Sequence, residues 1–139
     1  MKLIVPDASV ILKWVLRGDE PEREKALLIL SGWLEGRYEI VLPSIWFFEA
    51  GNIIARREPE LAGDILKKLL DFEFAEAELD RPLVKLILEI VKDCNVTFYD
   101  AAYHATAIRA KGTFVTADRE YFKRAKGKRH VQMLEGVRL

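Results

Sequence analysis

The stretch Val96–Asp118, VTFYDAAYHATAIRAKGTFVTAD, reads as a turn, a helix, a strand and the start of the next helix. Thr97 is placed to cap a helix over Phe98–Lys111, its side-chain oxygen accepting from a backbone N–H that the first turn leaves unpaired. Gly112 suits the left-handed residue that ends such a helix. Thr113–Thr116 is β-branched and aromatic, the composition of a short strand. This reading puts Asp100 in the first turn of one helix and Asp118 directly after a strand, where an open parallel sheet has its ligand crevice.

Working outward, Lys2–Pro6 is a short apolar run of the kind found in buried parallel strands, followed by a helix over Ala8–Leu16. Asp7 therefore falls at a strand-to-helix junction. Pro21 suits the first position of a second helix with an apolar face of Ala26, Leu27, Leu30, Trp33 and Leu34, closed by Gly36. Tyr38–Leu42 reads as the next strand, and Pro43 or Ser44 opens a third helix that ends near Arg57 and carries Glu49 in its middle. Pro59 and Pro82 start two more helices, with in-line apolar sets Leu61, Ile65, Leu69 and Leu83, Ile87, Ile90. The stretch Phe72–Leu79 is ambiguous. After the central stretch, Asp118 caps a short helix through Ala125, and His130–Leu134 is a last strand. Strands alternating with helices predict a single α/β domain over residues 1–139, a three-layer α/β/α sandwich around a mostly parallel sheet.

Composition narrows the function. Lys plus Arg number 22 and Asp plus Glu 22, so no overall field steers the chain to nucleic acid or acidic lipid, and any such binding is local. No apolar run reaches the length of a membrane span, and the opening MKLIVPDAS turns polar too soon for a signal peptide, which predicts a cytoplasmic protein. Cys94 is the only cysteine, so an internal disulfide and a cysteine-based zinc site are excluded, and its apolar neighbours suit a small core residue. No glycine-rich loop follows a strand, which argues against nucleotide-binding folds of that type. The run REYFKRAKGKRH holds Arg119, Lys123, Arg124, Lys126, Lys128 and Arg129 with one acid, enough to touch a phosphate backbone or simply to form a solvated helix.

Each aspartate alone has an ordinary explanation: Asp7 and Asp118 are good helix caps, and Asp100 stands where a capping box has its acid. Glu49 does not, being flanked by Trp46, Phe47, Phe48, Ile53 and Ile54 with no basic partner nearby in sequence. If the four converge, two like charges about 5 Å apart repel by about 3 kcal/mol at an effective dielectric of about 20. A helix N-terminus offsets only about 0.3–1 kcal/mol. A divalent cation that prefers oxygen, Mg²⁺ or Mn²⁺, is the natural way to hold such a cluster ionised. His104, one turn after Asp100, reads as a packed or half-exposed ring, since a chain with two histidines offers little for a histidine metal site. Trp46, Phe47 and Phe48 in succession cannot all face one core, which predicts a homodimer.

The segments VPDASVILKW, LPSIWFFEAGN, FYDAAYHATA and FVTAD stand in an order and spacing that resemble the PIN-domain ribonucleases, in particular the VapC-type toxins of prokaryotic toxin–antitoxin pairs. The resemblance spans the whole chain. It implies that Asp7, Glu49, Asp100 and Asp118 form an acidic quartet, with Ser9 and Thr116 as accompanying hydroxyls and Asn52 as a polar companion of the glutamate. It further implies Mg²⁺ or Mn²⁺ dependence, endonucleolytic cleavage of RNA, dimerisation, and inhibition by a small antitoxin protein. Two other readings compete: a receiver-type signalling domain in which Asp7 accepts phosphate, and a PIN-like module that binds RNA without cutting it. The first leaves Glu49 unexplained and wants a lysine where Arg119 stands; an intact quartet speaks against the second.

Overall fold

The computed structural model describes residues 2–139. Its elements in chain order are β1 (Lys2–Pro6), α1 (Ala8–Val15), α2 (Arg23–Leu34), β2 (Tyr38–Pro43), α3 (Trp46–Arg57), α4 (Ala62–Asp71), β3 (Ala75–Ala77), α5 (Arg81–Cys94), α6 (Phe98–Ala110), β4 (Thr113–Thr116), α7 (Arg119–Ala125) and β5 (Val131–Met133). The strands form one sheet in the order β3-β2-β1-β4-β5, and every neighbouring pair is parallel. β1 lies at the centre, and its Ile4, Val5 and Pro6 are buried, as a strand covered on both faces requires. α1 and α2 cover one face with α3 and α4 beside them, while α5 and α6 cover the other. The expected three-layer α/β/α sandwich is the observed one, with the sheet wholly rather than mostly parallel.

Parallel strands all end at the same edge, and this positions the acids. Pro6 of β1 is in register with Val115 of β4, and the Asp7 amide continues the ladder by donating to the Val115 carbonyl at 3.2 Å. Asp7 and Asp118 therefore leave the sheet side by side, although 111 residues separate them in sequence.

Several local expectations are corrected. Gly112 is not the left-handed residue: Lys111 takes that conformation (φ 57°), ending α6 at Ala110, and the Gly112 amide donates to the Ala107 carbonyl. Glycine is required at 112 for another reason. A Cβ there would lie 2.6 Å from the Leu3 carbonyl oxygen, because the end of α6 is pressed against the backbone of β1. Pro21 and Pro59 lie in turns that precede their helices, which begin at Arg23 and Ala62. On α2 the buried residues are Ala26, Ile29 and Gly32, whereas Leu27 and Leu34 are exposed, so the inward stripe is rotated from the expected one. Tyr38 accounts for the rotation: its ring occupies the space a side chain at Gly32 would fill, and its hydroxyl donates to the Leu28 and Ile29 carbonyls. The ambiguous stretch 72–79 contains the edge strand β3, whose first residue pairs with Val41.

Candidate active site

Glu49 lies in the first turn of α3, not in its middle, because α3 begins only at Trp46. At that depth it belongs to the same edge of the sheet as the three aspartates. Its partner is also unforeseen. The Tyr103 hydroxyl donates to Glu49 Oε1 at 2.6 Å, a tie between α3 and α6. A search for a basic neighbour could not find it, since a tyrosine one turn after Asp100 reads from sequence as a core aromatic.

Asp7 is buried and doubly engaged. Its Oδ1 accepts from the Val10 amide, capping α1, and from the Ser9 hydroxyl; its Oδ2 accepts from the Thr116 hydroxyl at 2.5 Å. Thr116 Oγ1 in turn accepts from the Asp118 amide at 3.0 Å, and Ser9 Oγ from the Ala117 amide at 3.0 Å. The two hydroxyls thus lock the β1–α1 junction to the β4–α7 junction. Asp118 is exposed and caps α7 by accepting from the Tyr121 amide. Asp100 is half-buried, its own amide held by Thr97 Oγ1 at 3.1 Å, and the Thr97 hydroxyl also reaches its carboxylate. Asn52 is exposed on α3 and, among the described residues, takes no part in this hydrogen bonding.

The electrostatics centre on Asp100. Burial raises the proton affinity of Asp7 to a pKa of about 6, with the Asp100 charge adding to the rise and the Ser9 and Thr116 bonds opposing it. Burial also raises the Glu49 pKa, Tyr103 opposing and Asp100 adding, while Asp100 itself is raised by burial and by Asp118. Each of the other three acids is therefore within electrostatic reach of Asp100. Oxygen donors of this kind suit a hard divalent cation. As the side chains stand, no three acidic, histidine or cysteine side chains among the described residues lie close enough together to hold one ion. The cause is visible in the bonding, since Asp7 and Asp118 are turned toward the helix N-termini they cap.

For Asp7 the sign of the pH effect follows. Its pKa rises from 3.8 to about 6 on folding, a difference of about 3 kcal/mol between protonation states. The folded chain keeps a proton that the unfolded chain releases, so metal-free stability should fall as pH rises from about 4 to 6 and level off above. Urea midpoints in chelator, compared with Asp7→Asn, isolate this from other acids such as Glu58, whose bonds to Arg17 act in the opposite sense. Wild-type and variant midpoints running parallel across that window would contradict the assignment.

Of the packed and half-exposed readings of His104, the structure shows the packed one, with the ring fully buried. Its Nδ1 meets the Tyr121 hydroxyl at 2.8 Å and its Nε2 the Arg129 carbonyl at 2.6 Å, and burial lowers its pKa. A neutral ring accepting from Tyr121 and donating to Arg129 satisfies both contacts, and it joins α6, which carries Asp100, to α7, which follows Asp118. Arg119 is engaged with Glu135 through two bonds of 2.6 and 2.7 Å.

With this fold and this edge described, the class is settled by comparison: the PIN domain family model matches residues 4–128, and the chain belongs to that family. It is accordingly a nuclease, a hydrolase of phosphodiester bonds. The curated relative Exonuclease VapC9 of Pyrobaculum aerophilum is 29% identical over 108 residues, covering 73% of this chain and 79% of the relative. Among solved structures, FitAcB from Neisseria gonorrhoeae superposes with a TM-score of 0.68 at 16% identity, covering 96% of this chain and 99% of that one. A toxin–antitoxin complex from Klebsiella pneumoniae gives 0.64 at 15% identity over 94% of this chain and 97% of that one. Among the described residues, no helix is long and apolar enough to cross a membrane.

Proposed function

We infer that the protein is a Mg²⁺- or Mn²⁺-dependent endoribonuclease and the toxin of a toxin–antitoxin pair. The observation that carries the reading is the set of four carboxylates at one sheet edge, each of the other three coupled to Asp100, with the proton affinities of Asp7 and Glu49 raised chiefly by burial and further by its charge, and none given a basic partner. Asp7, Asp100 and Asp118 are the residues that would hold the ion, and Mg²⁺ takes few direct carboxylates while keeping several waters, so it does not need all three to bind it directly. When bound, a divalent ion neutralises charge on the phosphoryl oxygens and raises the acidity of water. The chain supplies the rest. Glu49, held by Tyr103, is positioned to orient the attacking water and accept its proton, and its raised pKa suits that exchange. Ser9 and Thr116 fix the Asp7 carboxylate, the outer support that orients a ligand.

Family membership and the toxin–antitoxin complex among the structural neighbours support a small antitoxin partner. A homodimer is supported by the aromatic run, of which Trp46 is buried, Phe47 half-buried and Phe48 73% exposed. Phe48 lies with Leu79, Phe98 and Tyr99 along an apolar groove beside the acids.

The test is incubation of purified protein with a varied single-stranded RNA pool and, separately, a circular RNA, with Mn²⁺ and with Mn²⁺ plus excess chelator. Cleavage of both substrates, abolished by chelation, is the expected result. Cutting of linear RNA alone would assign end-dependent trimming, as the name of the P. aerophilum relative describes, and RNA left whole in Mn²⁺ would end the ribonuclease reading.

A further inference from the structure

Beside the acids lies a polar cleft of about 350 Å³ whose walls include Asn95, Thr97, Asp100, Asp118, Glu120, Tyr121 and Arg124. Two of the proposed ion-holding carboxylates therefore line it, and among the described residues Arg124 is the one cation lining it. Of the basic run over α7 and the turn after it, Arg119 is committed to Glu135 and Lys128 to Asp93. Arg124 is held differently. Its Nε donates to Glu120 at 3.0 Å and its Nη1 to the Asn95 carbonyl at 2.6 Å, where Asn95 is the left-handed residue that ends α5.

Those two bonds use two of the five N–H groups of a guanidinium and fix its plane, leaving three to point elsewhere. The neighbouring Glu120 carboxylate is largely exposed and well screened, so it orients the guanidinium more than it cancels it. Arg124 stands six residues beyond the N-cap Asp118, about 9 Å along the helix axis at 1.5 Å per residue. A planar fork on the wall of the cleft that Asp100 and Asp118 also line suits a phosphate diester flanking the one being cut, because a fork presents paired N–H groups to two phosphate oxygens.

We propose that the cleft between the start of α6 and α7 is a subsite for a flanking RNA phosphate, and that Arg124 is the residue that binds it. This rests on the ribonuclease reading and gives the substrate strand a path, away from the scissile phosphate over α7. The contact is to the backbone, so it is blind to base sequence. Its loss weakens binding of every RNA alike, without touching the chemical step.

The experiment compares wild type, Arg124→Ala, Arg124→Lys and Arg37→Ala, a surface change at the opposite edge of the sheet. RNA affinity is measured by fluorescence anisotropy on metal-free protein over a range of salt, and KM and kcat are measured with Mn²⁺. Arg124→Ala is expected to raise both Kd and KM about tenfold for oligonucleotides of unrelated sequence, with kcat within twofold. The slope of log Kd against log salt should fall by about one phosphate contact, about 0.7 for a single strand. Arg124→Lys should keep the slope and lose part of the affinity, and Arg37→Ala should match wild type. Unchanged Kd and salt slope in a folded Arg124→Ala overturn the proposal, as does a fall in kcat with KM unmoved, which would mark Arg124 as a brace between α5 and α7. If wild type binds RNA through Arg124 and yet leaves it whole in Mn²⁺, the ribonuclease reading fails while the phosphate subsite stands.

Discussion

Asp100→Asn is expected to lower RNA turnover by at least about 100-fold while the metal-free protein unfolds at an equal or higher denaturant concentration. The two halves have one cause. Asp100 is the carboxylate whose charge is felt by Asp7 and Glu49 and that feels Asp118 in turn, so removing its charge relieves three repulsions at once. Thr97 caps the helix through the Asp100 backbone amide, which the substitution keeps, and the asparagine side-chain oxygen can still accept from the Thr97 hydroxyl, so no helix cap is lost. The same charge is the one best placed to draw a cation toward all the other acids, and without it the proposed ion would be held more weakly and a water on it less activated. Single-turnover cleavage in saturating Mn²⁺, with urea midpoints in chelator, checks both. A variant that cuts RNA normally and loses about 1 kcal/mol of stability would show that Asp100 is part of a capping box and no more.

Gly112→Ala is expected to cost about 3 kcal/mol, the upper end of the range for forcing an atom into a filled space, and to lower the melting temperature by about 10 °C. The methyl group would meet both the Leu3 carbonyl oxygen and the Leu3 side chain at 2.6 Å, and the oxygen belongs to β1, which is paired on both sides. That strand cannot retreat without disturbing the junction that carries Asp7. At the preceding residue the expectation reverses. Lys111 already sits in the left-handed region that glycine tolerates best, so Lys111→Gly should leave the melting temperature unchanged or raise it. Thermal unfolding of the two variants side by side decides it, and similar losses in both would return the left-handed role to the glycine.

These two sites mark where sequence stops and tertiary structure takes over. The order of strands and helices, the buried parallel sheet and the caps at Thr97 and Asp118 follow from hydrophobic runs, breakers and capping residues, all of which act between near neighbours in the chain. So does the placement of Asp7 and Asp118 at strand ends, because parallel strands joined by crossovers must end at one edge. Resemblance of four short motifs then named the family. What lay beyond reach was whatever depends on two segments meeting. Glycine at 112 satisfies the turn rule and the contact with Leu3 equally well on paper, and only the packed sheet shows that the contact governs. The inward stripe of α2 turns because Tyr38 fills the space at Gly32, a residue of the following strand displacing the face that periodicity alone selects. Glu49 appeared to lack a partner because its partner, Tyr103, comes 54 residues later on a helix from the opposite layer. Local propensity chose the elements; the distance between carboxylates, their proton affinities and the hydroxyls that orient them were decided by which elements the sheet brings side by side.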